Sequence, residues 1–518
     1  MKEYWMDKKF YITTPIYYPS AKPHMGHAYS SIIADFFARF KRMDGFEVQF
    51  LTGTDVHGLK IQRSAEKQNI DPLEFCNQIS QTFRDLSKTL NLTNTDFIRT
   101  TEDRHKKTVQ YLWKELEKND DIYLSKYSGW YSVSDEAFYN EDEIEDIDGG
   151  KKSISSKSPV EWIEEESYFF RLSKWEKPLL DYYESHPNFI APESRKNEVI
   201  SFVKSGLKDL SVSRKSFSWG IKVPGNNDHV IYVWLDALTN YISALNYPDT
   251  NHQLFKNFWP ASIHLIGKDI LRFHAVYWPA FLLAAKIELP LRVYGHGWIL
   301  SGDEKMSKSK GNILDPIEII NEYGLDPLRY YLIKEVSFGN DGNISQERLE
   351  DCINSDLANN FGNLCQRVSA FAIKNCNSEV PNDIKFEKED LIILDRYKNN
   401  LTNIRDKIDN QDINFYIDFI INSLFEANKY FNDQEPWKKK EDPIRLNTIV
   451  YTTLEIVRKI SFLLYPIIPE SVAKALKIFE LKENDVNFSS IENNEYLLKG
   501  SKINKIDILF KKIDKNND

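Results

Sequence analysis

The chain has 518 residues, more than one hydrophobic core usually organises, so several domains are expected. Its composition, 42% hydrophobic and 28% charged, is that of a globular protein, and no run approaches the roughly 18 apolar residues of a membrane helix. The net charge of -10 argues against nonspecific nucleic-acid binding through a broad positive field, although a local basic surface stays compatible with it.

The first residues contain no apolar signal segment, which predicts a cytoplasmic protein with no membrane partner. In such a reduced compartment the cysteines are not expected to form disulfides, and none of them belongs to a C-x-x-C pair. They are Cys76, Cys352, Cys365 and Cys376.

The first hundred residues predict a βαβ unit. "KFYITT" (9–14) is a β-branched and aromatic run typical of a buried strand. "AYSSIIADFFARFKRMDG", which begins at Ala28, repeats apolar residues at helical spacing. "FEVQFLTGTDVHG" reads as a second strand that runs into a Gly-rich loop. Strand, helix and strand within this length indicate a parallel sheet.

"PHMGH" (23–27) lies between the first strand and the helix. Two histidines suggest a metal, but zinc needs a third protein ligand and none is evident nearby. The start of a helix favours an anion, and Gly26 lets a flat ligand approach the backbone, so a phosphate with an adenine fits this segment. The alternative is that His24 and His27 are incidental surface residues.

A second motif, "KMSKS" (305–309), follows in "GHGWILSGDEKMSKSKGN". Its lysines suit the charge that develops on a polyphosphate, while a solvated loop with lysines is the structural alternative. Together, HMGH and KMSKS resemble the signatures of the class I aminoacyl-tRNA synthetases. More closely, the chain resembles the methionyl-tRNA synthetase family from about Phe10 to Phe510, through "TTPIYYPSAKPHMGH", "TGTDVHG", "EEESYFFRLSKW", "YVWLDALTNYI", "HLIGKDILRFHAVYWPA", "KMSKSKGN", "GNLCQR" and "EPWK".

The resemblance implies formation of an aminoacyl adenylate from ATP with Mg²⁺, and then transfer of methionine to initiator and elongator tRNA(Met). It implies that His24, Gly26 and His27 bind ATP, with both histidines catalytic. Lys305 and Lys308 are then catalytic residues that hold the leaving pyrophosphate. Gly267 and Asp269 match the ribose contact, although their segment is also compatible with a plain strand-to-helix turn.

The resemblance also implies a site for L-methionine. Asp55 matches the carboxylate that holds the substrate ammonium, while a turn aspartate is the structural alternative. The segments "VWLDALTNY" and "FHAVYW" carry aromatic residues at helical spacing. From spacing alone these residues would belong to the hydrophobic core, whereas the resemblance assigns them to a pocket for the thioether. The pocket residues implied are Ile16, Tyr18, Trp234, Ala237, Tyr241, His274 and Trp278.

The insertion at 116–225 departs from the family pattern. Many relatives carry cysteine zinc knuckles there, whereas this insertion has no cysteine and places "SVSD" (132–135) where a C-x-x-C would fall. We therefore expect a knuckle-shaped hairpin held by aromatic residues, with no metal and no structural zinc. The aromatic residues are Trp130, Tyr131, Phe138 and Tyr139.

The last third resembles the helical anticodon-binding domain of the family. The resemblance assigns Asn363, Arg367 and Trp437 to the anticodon; from spacing alone, Trp437 would be a turn-packing aromatic. An exposed aromatic beside lysines 438–440 suits a splayed base. The chain shows no further tRNA-binding and dimerising domain, so a monomer is expected.

The predicted fold is α/β: a Rossmann-type parallel-sheet catalytic domain split by an insertion and followed by an α-helical anticodon-binding domain. The predicted domains are the first catalytic half (1–115), the insertion (116–225), the second catalytic half (226–295), the KMSKS linker (296–355) and the anticodon domain (356–518). Cofactor adenylyltransferases explain only the first motif. A cysteinyl enzyme would need zinc-ligating cysteines, and the valine, leucine and isoleucine enzymes need a larger insertion. A dead paralogue would have lost signature residues.

Overall fold

A computed structural model describes residues 8–19, 22–135, 137–147, 149–301, 304–305 and 315–514, without the side chains of residues 127, 137, 138, 165, 304 and 305. The chain divides into two compact units. The first comprises Met1–Ala34 and Val48–His296, and the second comprises Asp35–Glu47 and Gly297–Asp518. Within the described ranges, no helix is both long and apolar enough to cross a membrane.

The strands of the first unit are numbered in chain order. They are β1 (Lys9–Tyr17), β2 (Glu47–Thr54), β3 (Asp96–Arg99), β4 (Ile122–Ser132), β5 (Ala137–Tyr139), β6 (Ile144–Ile147), β7 (Gly150–Ser153), β8 (Glu161–Phe170), β9 (Ile190–Ala191), β10 (Leu210–Ser211), β11 (Ser213–Arg214), β12 (Lys222–Val223), β13 (Asn226–Ile231), β14 (Ile263–Gly267) and β15 (Val293–His296).

The helices that begin in the first unit are α1 (Met25–Met43), α2 (Leu59–Gln68), α3 (Pro72–Thr89), α4 (Asp103–Lys118), α5 (Glu176–Ser185), α6 (Glu193–Lys204), α7 (Val233–Leu238), α8 (Asn240–Ser243), α9 (Gln253–Phe258) and α10 (Trp278–Ala284). Shorter 3₁₀ segments lie at Glu141–Glu143, Leu172–Trp175 and Lys268–Ile270, and a π-helical segment spans Phe273–Tyr277.

The predicted parallel sheet is confirmed. Six strands lie in the order β3-β2-β1-β14-β15-β9. The pairs β2 with β3, β1 with β14, β14 with β15 and β15 with β9 are all parallel. Because parallel strands end at the same edge, the segments after β1, β2, β14 and β15 come together there.

The insertion forms separate antiparallel sheets. Strands β4 and β8 pair along their length from Ile122 with Phe170 to Tyr131 with Glu161, and β10 and β5 flank them. A hairpin of β6 and β7 and a three-stranded sheet of β11, β13 and β12 complete this region.

The second unit is mostly helical. Its strands are β16 (Ile299–Ser301), β17 (Glu304–Lys305) and β18 (Gly342–Asn343). Its helices are α11 (Pro316–Tyr323), α12 (Leu325–Glu335), α13 (Gln346–Cys352), α14 (Asn363–Asn375), α15 (Lys388–Asp409), α16 (Ile413–Gln434), α17 (Pro443–Leu464), α18 (Pro469–Leu476) and α19 (Phe488–Glu492). A π-helical segment spans Ile353–Gly362, and 3₁₀ segments lie at Pro436–Lys438, Lys477–Phe479 and Glu483–Asp485.

A buried charge network lies inside the second unit. Asp35 accepts hydrogen bonds from Nε of Arg39 at 2.7 Å and from Nη2 of Arg329 at 2.8 Å. Arg329 also donates to the carbonyl groups of Pro466 and Ile467. All three charged side chains are almost fully buried, so each depends on these partners for its solvation.

Candidate active site

His24 and His27 lie at the start of α1, where the carbonyl of His24 accepts the backbone N–H groups of His27 and Ala28 at 3.0 and 3.2 Å. The two rings are 3.7 Å apart between centroids. Nδ1 of His24 accepts from the backbone N–H of Gly26, and Nδ1 of His27 accepts from that of His24, both at 3.1 Å. Each neutral ring therefore carries its proton on Nε2, which makes the pair a source of two N–H donors for an anion.

Aromatic neighbours hold the His27 ring. It makes edge contacts with Tyr17 at 4.8 Å and with Phe83 at 5.2 Å. Burial, and then the neighbouring His24, keep the pKa of His27 well below its usual range. His27 is therefore an uncharged hydrogen-bond donor at neutral pH.

Asp55 follows β2 at the carboxyl edge of the sheet and is buried. Its backbone N–H donates to the carbonyl of Tyr17 at 2.9 Å, which ties it to the end of β1. Its Oδ1 accepts from the backbone N–H of His57 at 3.3 Å and from the hydroxyl of Thr100 at 3.4 Å. The carboxylate is thus oriented by two segments of the chain.

Five of the predicted pocket residues belong to one hydrophobic cluster or pack against it. Tyr241 and Trp278 are buried in it, and partly buried Ile16, Tyr18 and Trp234 pack against it. The spacing predicts Trp234, Ala237 and Tyr241 on one helix face. That expectation of a single helix is wrong, because the chain forms two short helices, α7 and α8, with Thr239 between them.

The segment that carries His274 is a π-helical turn, a feature often found at functional sites. Phe273, which the sequence analysis did not select, stacks on Trp234 with 3.6 Å between centroids and 6° between planes. Nε2 of His274 lies 2.7 Å from the hydroxyl of Tyr241, and its Nδ1 lies 3.0 Å from the carbonyl oxygen of Ile270. Burial lowers the pKa of His274 to about 4, so this ring is uncharged at neutral pH.

Gly267 and Asp269 meet at the end of β14. A Cβ on Gly267 would lie 2.6 Å from Oδ1 of Asp269, so only glycine allows this carboxylate position. At the end of the neighbouring β15, Nε2 of His296 is 2.7 Å from the hydroxyl of Ser30 on α1. Neither His296 nor Ser30 was predicted from the sequence, although His296 lies in the "GHGW" segment directly before the second motif.

The KMSKS motif falls largely outside the described residues. Lys305 belongs to β17, whose backbone pairs antiparallel with Leu300 of β16, and its side chain is outside the description. Lys308 lies outside the described residues altogether.

A second feature absent from the sequence analysis is a buried aspartate held by two histidines. Nδ1 of His57 lies 2.6 Å from Oδ2 of Asp236, and Nε2 of His105 lies 2.7 Å from its Oδ1. The signal was the charge inside the apolar run "YVWLDALTNYI", because a buried carboxylate needs a partner.

Hydroxyl groups surround Asp135 in the "SVSD" segment of the insertion. Asp135 accepts hydrogen bonds from the hydroxyls of Tyr139, Ser156 and Ser158 at 2.8, 2.5 and 2.9 Å. Its backbone N–H donates to Ser132. Neutral hydroxyls already bonded to a carboxylate do not fit zinc, which prefers Cys, His or Asp/Glu ligands. Across the described ranges, no group of three or more His, Cys, Asp or Glu is placed to hold a metal.

The predicted anticodon residues lie in the second unit. Asn363 and Arg367 are on α14, and Trp437 is on the 3₁₀ turn after α16. Arg367 donates to Oδ1 of Asn432 at 2.7 Å, and its guanidinium lies 5.5 Å from the ring centre of Phe431. Trp437 packs against the same Phe431 ring at 6.0 Å and is 40% exposed. The structure therefore places Arg367 and Trp437 around one aromatic ring.

Comparison with known proteins agrees with this architecture. Residues 10–148 and 143–369 match the family described as "tRNA synthetases class I (M)". The parallel sheet with its two histidines at a helix start is accordingly the catalytic core of a class I aminoacyl-tRNA synthetase. Residues 380–518 match the "Anticodon binding domain of methionyl tRNA ligase".

Individual relatives identify the amino-acid family within this class of synthetases. The methionine–tRNA ligase of Brucella suis is 50% identical over 485 residues, which cover 93% of this chain and 94% of that one. The Rickettsia felis methionine–tRNA ligase is 48% identical over 98% of this chain and 99% of the relative. The Mycobacterium tuberculosis methionyl-tRNA synthetase in complex with methionyl-adenylate superposes with a TM-score of 0.94 at 45% identity, over 97% and 99% of the two chains. The chain belongs to the methionine–tRNA ligase family.

Proposed function

We propose that the carboxyl edge of the parallel sheet activates L-methionine with ATP. The methionine carboxylate attacks the α-phosphorus, so a carboxylate–phosphorus bond forms as the bond to pyrophosphate breaks. His24 and His27 donate Nε2–H hydrogen bonds to phosphate oxygens and to the transition state. The observation that carries this proposal is the pair of Nδ1 acceptor bonds, which sets both rings in the donating tautomer.

The nucleoside of ATP is assigned to the neighbouring strand ends. Gly26 allows close approach at the helix start, and Gly267 with Asp269 meets the ribose. Mg²⁺ enters with ATP as part of the substrate. Lys305 and Lys308 neutralise the leaving pyrophosphate, an assignment that rests on the motif alone.

Methionine is held at two ends. Asp55 binds the α-ammonium, because it is a buried carboxylate oriented by two donors. The thioether occupies an uncharged, polarizable wall, which suits sulfur. The wall residues are Ile16, Tyr18, Trp234, Ala237, Tyr241, His274 and Trp278. The M. tuberculosis relative is a complex with methionyl-adenylate, which supports formation of the same intermediate by this chain.

The second step transfers methionine to the 2′-hydroxyl of the 3′-terminal adenosine of initiator and elongator tRNA(Met). Asn363 and Arg367 supply hydrogen bonds to the anticodon, and Trp437 supplies a stacking surface. The 40% exposure of Trp437 supports this role, because part of the indole surface is open to a base.

From the sequence we also propose that the protein is a cytoplasmic monomer and that its insertion binds no zinc. The proposed domain limits are 1–115, 116–225, 226–295, 296–355 and 356–518.

The test is ATP–pyrophosphate exchange with Mg²⁺ present and zinc chelated, run with each proteinogenic amino acid separately. Exchange with methionine alone is the expected result. Exchange with another amino acid would refute the pocket assignment, and absence of exchange would refute the catalytic site. A His27→Asn variant should lose most of the exchange rate. Its side-chain amide oxygen can replace Nδ1 as the acceptor of the His24 N–H, but it has no donor at the position of Nε2.

A further inference from the structure

His57, Asp236 and His105 form a buried cluster in which both imidazoles hydrogen-bond to one carboxylate. Asp236 and His105 are fully buried and His57 is 4% exposed, so water solvates none of them. Burial alone raises the pKa of the Asp236 carboxyl, but the attraction of His57 and the hydrogen bonds from both imidazoles outweigh burial and lower that pKa. Asp236 is therefore a buried carboxylate at neutral pH whose position is fixed by two rings.

The three residues come from distant parts of the first unit. His57 follows β2, His105 lies on α4, and Asp236 lies on α7 beyond the insertion. His105 reaches α8 as well, because its Nδ1 is 2.9 Å from the hydroxyl of Ser243. The cluster thus ties the segment after β2 to the helices that carry the aromatic wall.

Both His57 and Asp236 lie within two residues, along the sequence, of a proposed methionine contact. The backbone N–H of His57 donates to Oδ1 of Asp55, so movement of His57 moves the donor that orients the ammonium site. On the other side, Asp236 stands between Trp234 and Ala237 in sequence, on a helix of only six residues. One carboxylate therefore links the two ends of the proposed amino-acid site.

We infer that His57, Asp236 and His105 are positioning residues that fix the separation between the ammonium-binding carboxylate of Asp55 and the thioether wall of α7. The inference rests on the proposed roles of Asp55 and Trp234. Since a ligand of fixed length must reach both ends, a shift in this separation weakens the ammonium contact while the ATP contacts stay in place. The triad acts on methionine affinity without touching the substrate.

A matched pair of amides at residue 57 tests the inference. His57→Asn keeps an amide nitrogen near the position of Nδ1 and so retains a donor to Asp236. His57→Gln carries the same amide one methylene further out, near the position of Nε2. Both are assayed by pyrophosphate exchange for kcat, the KM of methionine and the KM of ATP. 4-(Methylthio)butanoic acid, which is methionine without its amino group, is used as a competing ligand.

We expect His57→Gln to raise the methionine KM by about tenfold or more, with kcat and the ATP KM changed by less than about threefold. The inhibition constant of the deamino compound should stay unchanged, because that compound makes no ammonium contact. His57→Asn should restore the methionine KM to within about threefold of the parent value. A partial loss of folded enzyme would instead lower the apparent kcat and leave both KM values and the inhibition constant unchanged.

Equal methionine KM values for His57→Asn and His57→Gln would overturn the inference, and so would an ATP KM that rises with the methionine KM. Asp55→Asn separates it from the proposed site. If Asp55→Asn raises the methionine KM while His57→Gln does not, only the positioning role is wrong. If Asp55→Asn leaves the methionine KM unchanged, the ammonium assignment is wrong and the positioning role falls with it. Asp236→Asn, which keeps the shape but removes the charge, should reproduce the His57→Gln profile.

Discussion

The hydroxyl of Tyr241 donates a hydrogen bond of 2.7 Å to Nε2 of His274. The direction follows from the other ring nitrogen: Nδ1 lies 3.0 Å from the carbonyl of Ile270, which can only accept, so Nδ1 carries the proton. A neutral ring then has an acceptor at Nε2. Burial, which lowers the pKa from 6.5 to about 4, keeps the ring neutral.

This neutral histidine predicts a pH-dependent stability. In the unfolded chain, His274 binds a proton once the pH falls below 6.5, the ordinary pKa of histidine. In the folded chain it binds a proton only near pH 4. Stability is therefore fully present above pH 6.5 and is lost as the pH falls towards 4. Between about pH 7.5 and about pH 5.0, His274 should cost about 2 kcal/mol of unfolding free energy.

The measurement is denaturant unfolding of the parent protein and of His274→Asn at both pH values. The variant keeps a donor for Ile270 but has no titrating ring, so its loss of stability should be smaller by that amount. His27, whose pKa burial also lowers, titrates alike in both proteins. The pKa of His264 is lowered by burial and then by His274, so the loss of His274 also reduces the contribution of His264 in the variant. An identical loss in the two proteins would contradict the neutral state of His274.

Gly26→Ala tests the geometry of the two histidines. The added Cβ would lie 3.0 Å from Cε1 and 3.1 Å from Nδ1 of His24, so the His24 ring must move. We expect kcat of pyrophosphate exchange to fall roughly 10- to 100-fold with little change in the methionine KM, because a shift of about 1 Å misplaces a donor. Gly150→Ala is the control, since a Cβ there meets no atom within 4 Å. Equal kcat values in the two variants would exclude a catalytic role for this arrangement.

Trp437→Ala tests the anticodon surface. Loss of one stacking surface should lower kcat/KM for tRNA charging by about 10- to 100-fold and leave pyrophosphate exchange unchanged. Trp162, which is 48% exposed in the first unit, offers a matched control as Trp162→Ala. If Trp437→Ala reduced exchange and charging to the same extent, Trp437 would be a structural residue.

The insertion should function without zinc. Metal analysis of protein purified without chelator should find far less than one zinc per chain, and prolonged chelation should not alter exchange. Asp135→Ala, which removes the acceptor of three hydroxyl donors, should instead lower the thermal midpoint. Zinc at one equivalent, lost together with activity on chelation, would show that the serine-rich hairpin is not a substitute for a metal site.

Local pattern was sufficient for the first βαβ unit and for the position of His24 and His27 at a helix start, because both depend on neighbours in sequence. The break at Thr239 and the π-helical turn around His274 were not predictable, since tertiary packing overrides the helical repeat there. Asp236 shows the limit most clearly: its two partners lie 179 and 131 residues away along the chain. Spacing can indicate that a buried charge needs a partner, but it cannot say which residue supplies it.

The most direct test of the account is a crystal structure with a non-hydrolysable methionyl-adenylate analogue. The account predicts the analogue's ammonium within about 3 Å of the Asp55 carboxylate, its thioether against Trp234 and Tyr241, and its phosphate-like group beside His24 and His27. An analogue bound away from Asp55, or with its thioether outside the wall formed by α7 and α8, would contradict the assignment of this edge of the sheet as the site of methionine activation.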